Sequence, residues 1–231
     1  MSDDLVNSLQ QLSDVLETQR TLGVALASIA EAATVSVPGC DAATIAISIG
    51  GRPATAAMTG TIALELDMVQ YDNDDGPCLT TFRTASALRL DVYEQGEAFP
   101  HLASAARRVG VRAVMSVPSI WGTETIATLN LYSRSGSFDE SAETVAAVLA
   151  TQVAIAVSRS PEFAAARAVV EEAQRNTDDR SQITMATGLL IGSHDCSREQ
   201  AEGLLRQAAA EDEQTILQIA QRIIEEHRST S

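Results

Sequence analysis

Between residues 180 and 226, apolar side chains recur at steps of three and four in three separate runs, the period of amphipathic helices. The first run is Ile183, Ala186, Leu190 and Ile191, and the second is Ala201, Leu204, Leu205 and Ala208. The third is Ile216, Ile219, Ala220, Ile223 and Ile224. A helix with one apolar stripe must bury it against another element, so the pattern predicts a compact three-helix array. Ser197-Arg198-Glu199-Gln200 has the form of a capping box, and the second helix is expected to start there.

The periodicity is different upstream. Leu5, Leu9, Leu12, Leu16, Leu22, Leu26 and Ile29 predict a helix over residues 3–35, with Gly23 allowing a bend and Val37-Pro38-Gly39 ending it. Ile45, Ile47 and Ile49 then alternate with Thr44, Ala46 and Ser48, the pattern of a half-buried strand, and a second strand is expected at 54–59. Ile62, Leu66 and Val69 return to helical spacing over 62–71. Val111–Val117 reads as a strand stopped by Pro118, and Ala127, Leu129 and Leu131 alternate with Thr128, Asn130 and Tyr132. With Gly122-Thr123 between them, these two strands predict an antiparallel hairpin. Ser137–Glu140 offers a capping box before an Ala/Val-rich helix over 140–158. Strands with flanking helices give an α+β domain.

Ser160-Pro161 marks a boundary, because proline stops the incoming helix and suits the first turn of the next. From Glu162 one helix is expected to continue into the three-helix region. On it Phe163, Ala166, Val170, Ala173 and Thr177 are spaced like a short coiled-coil seam.

Composition narrows the function classes. Of 231 residues only 3% are aromatic against 45% hydrophobic, so the core must be built from Ala, Val, Ile and Leu. The net charge of −15 repels polyanions at long range. All 16 basic residues are arginines, for which a GC-rich coding sequence is the first explanation and retention for bidentate contacts to phosphate or guanine the second. Cys40, Cys78 and Cys196 are too few and too scattered for a disulfide framework. The acidic start Met-Ser-Asp-Asp-Leu lacks a signal-peptide pattern, and Val145–Val157 falls short of the ~20 apolar residues of a membrane span, so a cytoplasmic protein is expected.

No catalytic constellation emerges, and the expectation is a protein that is not an enzyme. His101, His194 and His227 lack partners at metal-site spacing, and Asp72, Asp74 and Asp75 miss the register of a calcium loop. Cys78 follows Gly76-Pro77 at an expected helix start, where a thiol can be acidified, although a small packing residue suits the position too.

Two resemblances give these elements a meaning. Arg180-x-x-Ile183-x-x-Ala186-Thr187-Gly188-x-Leu190, Ala201-x-x-Leu204-Leu205-Arg206 and Leu217-x-Ile219-Ala220 resemble the ANTAR module, a three-helix RNA-binding domain of bacterial transcription antitermination. Gly76-Pro77-Cys78-Leu79, Gly110–Pro118 and Leu129-Asn130-Leu131-Tyr132-Ser133 resemble a bacterial GAF domain of the type fused to ANTAR modules in actinobacteria. The expected organisation is a helical extension over 1–17, a GAF-like antiparallel sheet domain flanked by helices over 18–160, a coiled-coil-like linker over 161–179 and an ANTAR-like bundle over 180–231.

The GAF resemblance implies a six-stranded sheet used for sensing or dimerisation. It also implies a small-molecule pocket between the sheet and residues 62–100, with Tyr71, Cys78, Phe82, Tyr93, Phe99 and Trp121 as lining candidates that equally suit a filled core. No residue pattern names a cofactor. The ANTAR resemblance implies a homodimer on a dual-hairpin RNA overlapping a terminator, with neither DNA nor membrane as partner. Arg180, Thr187, Gly188, Arg198 and Arg206 are the contact candidates. Arg206 matches the family's Leu-Arg pair, Arg198 rests on charge and place, Thr187 stands where the family usually has lysine, and Gly188 also suits close helix packing. Residues 162–231 hold 7 arginines against 13 acidic residues, so a ligand-sensing or protein-interaction module without RNA binding is the alternative.

Overall fold

A computed structural model describes residues 22–230, and the first part of the helix expected over 3–35, up to residue 21, lies outside them. The chain divides between Arg167 and Ala168 into two compact units. The first unit holds helix α1 (Leu22–Ser36), strands β1 (Ala42–Ile49) and β2 (Arg52–Met58), helices α2 (Thr61–Asp72) and α3 (Pro77–Thr84), and strand β3 (Leu88–Asp91). It continues with helix α4 (Pro100–Arg108), strands β4 (Ala113–Trp121) and β5 (Glu124–Ser133), and helix α5 (Glu140–Ser158). Helix α6 (Pro161–His194) begins in this unit and ends in the second, where α7 (Arg198–Glu211) and α8 (Ile216–Thr230) follow.

The fold is α+β, with one sheet in the order β2-β1-β5-β4-β3, antiparallel throughout. Among the described residues it has five strands rather than the expected six. The stretch between β2 and β3 is taken up by α2 and α3, which leaves those two strands as the edges. Gly122, at φ 63, makes the tight β4–β5 turn that residues with a Cβ rarely accept. Pro118 does not end β4, which runs on to Trp121. The proline pairs with Thr128 beyond the last β3 contact at Ser116, where β4 has one neighbour and behaves as an edge.

One face of the sheet is apolar. Ala43, Ile45, Met115, Val117, Ala127, Leu129 and Leu131 pack there against Leu26, Ala30 and Ala33 of α1 and against Ala142, Ala146, Ala150, Val153 and Val157 of α5. Alanine at successive i, i+4 positions lets α5 lie close to the strands, which is how a core with few aromatics is filled. By length and composition α5 could cross a membrane, but its alanine stripe is a core stripe. Its N-cap is Asp139 rather than the expected Ser137. The Asp139 carboxylate accepts the Ala142 N–H at 2.8 Å, which also holds its pKa below the usual range.

The other face is also covered, by α2, α3 and α4. Ala63, Leu66, Leu102, Ala106, Val114 and Tyr132 form a second cluster there. Thr44, Ala46, Thr128 and Asn130 are fully buried on it, whereas the alternation of Thr44 and Ala46 with Ile45, Ile47 and Ile49 had marked β1 as a half-buried strand. Gly76 fixes the α2–α3 turn: its φ is 137, and a Cβ would sit 2.4 Å from Gln70 Oε1.

In the second unit Ala186, Leu205, Ile219, Ala220 and Ile224 form the core, with Ile183, Leu190, Ala208, Ile216 and Ile223 around them. The capping box at Ser197 forms as expected, with Ser197 Oγ accepting from the Gln200 N–H and Gln200 Oε1 accepting from the Ser197 N–H at 2.8 Å. Leu204, read as a stripe residue, is 40% exposed at the rim.

Candidate functional site

The second unit presents a polar surface with few cations. Arg180, Arg198 and Arg206 are all exposed. The Arg198 side chain pairs with Glu202 one turn on, Nε to Oε1 at 3.0 Å, a solvent-exposed bond that a ligand could displace at small cost. Arg222 pairs with Asp212 at 2.6 Å. Arg180 and Arg206 have no carboxylate within ion-pair distance among the described residues, so their guanidiniums are available for a bidentate contact.

The other two contact candidates are placed differently from the sequence reading. Thr187 is 5% exposed, and its hydroxyl donates to Ile183 O at 2.7 Å within its own helix. It is a packing residue, because its position follows Ala186 into the three-helix core. Gly188 is exposed, and a Cβ there would meet nothing within 4 Å, so close helix packing does not explain it. A mid-helix glycine costs about 1 kcal/mol relative to alanine. At this position the cost has no return inside the unit.

The six pocket candidates do not converge. Trp121 is 54% exposed at the tip of the β4–β5 hairpin. Tyr93 is 53% exposed beyond β3, its ring flanked by Arg107 and Arg112 at 5.5 and 5.1 Å from its centroid. Phe99 is half-buried against the second apolar cluster, and Phe82 is half-buried on α3. Only Tyr71 and Cys78 meet, in a cage of polar side chains between the sheet and α2–α3.

Asp67 of α2 is the centre of that cage and is fully buried. Its Oδ1 accepts from Tyr132 Oη and from Asn130 Nδ2, the latter at 3.3 Å, and its Oδ2 accepts from Thr55 Oγ1 at 2.7 Å. Asn130 also donates to Thr44 Oγ1 at 3.2 Å, and the Tyr71 hydroxyl lies 3.0 Å from Thr55 Oγ1. Gln70 accepts the Cys78 N–H at 2.9 Å and so ties α2 to the start of α3. Burial raises the Asp67 pKa against the lowering effect of these hydrogen bonds, led by that from Tyr132. Burial, then the charge of Asp67, pushes the Cys78 thiol up to about 12, so the helix start does not acidify it. Its Sγ lies 3.3 Å from Thr128 Oγ1. Among the described residues no cluster of His, Cys, Asp or Glu could hold a metal ion.

Asp67, Gln70, Thr44, Thr55, Asn130 and Tyr132 were not singled out as site residues from the sequence. A usable signal was present. Asp67, Gln70 and Tyr71 lie at i, i+3 and i+4 on α2, beside the apolar positions rather than opposite them.

Comparison with known proteins agrees with this architecture. The GAF domain family matches residues 7–157, and the ANTAR domain family matches residues 165–224. The GAF domain region of a Geobacter sulfurreducens PCA protein superposes with a TM-score of 0.51 at 15% identity, over 64% of this chain and 98% of that one. A GAF domain/HD domain protein from Geobacter sulfurreducens gives 0.49 at 19% identity, over 59% and 92%. A type II free methionine-R-sulfoxide reductase from Thermoplasma acidophilum gives 0.47 at 16% identity, over 59% and 92%. No curated protein matches the chain. With a sheet unit matched over most of its length and a three-helix unit matched behind it, the chain belongs to the GAF domain family and carries a C-terminal ANTAR domain.

Proposed function

We propose that this protein is a cytoplasmic regulator that binds RNA through its three-helix unit and acts as a transcription antiterminator, gated by its sheet domain. The observation that carries the reading is the coincidence of the ANTAR match over 165–224 with a folded three-helix unit that leaves Arg180 and Arg206 exposed and, among the described residues, without a carboxylate partner. Loop bases in an RNA hairpin are unstacked and reachable, so a few arginines can read them without a strongly basic surface. The implied target is a dual-hairpin element overlapping a terminator. The sheet domain would gate binding through a small ligand, a partner or dimer geometry.

The test is titration of a dual-hairpin RNA at two salt concentrations. Binding at low salt with a shallow loss on adding salt is expected, because few phosphates can be neutralised. No binding at low salt overturns the reading and favours a protein-interaction or ligand-sensing module, to which the Arg198–Glu202 and Arg222–Asp212 pairs are equally suited.

A homodimer belongs to the same proposal. On α6 Val169 is 67% exposed and lies beside Val170, Ala173 and Thr177 in a shallow, mainly apolar groove. On α5 Val148 is 61% exposed beside Ala147 and Thr151. Phe163, the first position of the expected seam, is already used in the core of the sheet unit, which shortens the seam to Ala166–Thr177. An Ala-rich seam this short buries little apolar area, so the α5 surface should contribute. Light scattering is expected to give twice the chain mass at tens of micromolar, on the order of a modest dimer affinity. A chain mass of one would refute it.

A further inference from the structure

The polar cage has an unusual feature for a buried carboxyl: hydrogen bonds reach it from the edge strand β2 and the central strand β5, and among the described residues no cation faces it. Thr55 lies on β2, and Tyr132 and Asn130 on β5, with Thr44 of β1 behind Asn130. The titratable groups that face it are Tyr132 from β5, Tyr71 from α2 itself and Cys78 from α3, each held neutral by burial. β1 and β2 contribute the Thr44 and Thr55 hydroxyls, and among the described residues no arginine or histidine acts on the carboxyl. An ionised Asp67 would therefore be a buried charge without a counter-charge, and such a charge is costly even when hydrogen-bonded. The neutral carboxyl reverses the 2.7 Å bond to Thr55: its Oδ2–H donates to Thr55 Oγ1, whose own hydroxyl then donates to Tyr71 Oη.

The cage also holds two helices as one piece. Asp67 and Gln70 dock α2 on the strands, and Gln70 passes the restraint through the Cys78 N–H to α3, across a turn that Gly76 keeps free of side-chain atoms. Beneath them, Asn130 Oδ1 and Ser116 Oγ are buried and have no hydrogen-bond partner among the described residues. Opening the cover would hydrate both, which offsets part of the cost of separating α2 and α3 from the sheet.

We propose that Asp67 is a proton-operated latch: with its carboxyl neutral, α2 and α3 stay closed on the polar face of the sheet, and loss of the proton loosens them together. The proton is retained more tightly closed than open. Below the ordinary carboxylate pKa both states are protonated and closure is at its firmest. As pH rises above that value the open state ionises first, and the opening constant climbs about tenfold per pH unit until Asp67 also ionises in the closed state, then levels off. The latch deepens the gating part of the proposed function by naming its input. It is tested without RNA, so failure to bind RNA would leave it standing.

Hydrogen–deuterium exchange of the full chain between pH 4 and 8, corrected for the intrinsic rate, reads the opening of residues 61–84 against β4 and β5. In the parent chain, protection of 61–84 is expected to fall with pH and then reach a plateau, while the strands stay protected. In Asp67→Asn the same peptides should show no pH dependence. A flat parent profile, or an Asp67→Asn profile that follows the parent, overturns the proposal. Tyr132→Phe provides a second reading if the Asn variant does not fold. It removes a donor that favours the ionised carboxyl, so the plateau should be reached at higher pH, and an unmoved plateau overturns the latch.

Discussion

Leu205→Ala is expected to unfold the three-helix unit while the sheet domain stays folded. Leu205 is 1% exposed in a small core whose other members among the described residues are Ala186, Ile219, Ala220 and Ile224. Truncating a buried leucine to alanine costs about 2–5 kcal/mol. A core in a unit this small rarely supplies more than about 3–5 kcal/mol in total, so one truncation can remove all of it. Urea titration followed by two probes separates the units. Far-ultraviolet circular dichroism should show helix lost before any denaturant is added. Fluorescence of Trp121, the one tryptophan of the chain, reports the sheet domain and should keep its parental midpoint. Leu204→Ala is the control: Leu204 is 40% exposed, and the loss should stay within about 1 kcal/mol. Parental helicity in Leu205→Ala would show that the core of this unit lies elsewhere.

Arg206→Ala should weaken binding to a dual-hairpin RNA without disturbing the fold. The guanidinium is exposed and has no carboxylate partner among the described residues, so its removal orphans nothing in the protein. Alanine is also the better helix former on α7. One lost base-edge contact costs about 1–3 kcal/mol, which corresponds to roughly 5- to 150-fold in affinity. Arg198→Ala should lose less, because Arg198 must first leave Glu202. Filter binding or an electrophoretic shift, with circular dichroism as the fold check, decides the matter. Equal affinity of parent and Arg206→Ala would remove this residue from the interface.

The sequence by itself determined the elements whose signals are local. Three- and four-residue spacing placed α2 and the three helices of the second unit but not α4, the Ser197–Gln200 pair formed its capping box, and Pro161 opened the long helix because a first-turn proline loses no hydrogen bond. Alternation found β1 and β5, and Gly122 marked their hairpin neighbour's turn. Only the tertiary structure decided what the polar half of that alternation faces. Thr44, Thr128, Asn130 and Tyr132 alternate with the apolar residues of their strands, yet α2 and α3 cover them, and Asp67 accepts from Asn130 and Tyr132. A period of two records that two faces differ, and it is silent on which of them meets water. For the same reason Thr187 became a packing residue, Gly188 an open one, and Tyr93 and Trp121 surface residues: residue type sets what a side chain can do, and only long-range packing sets what it meets.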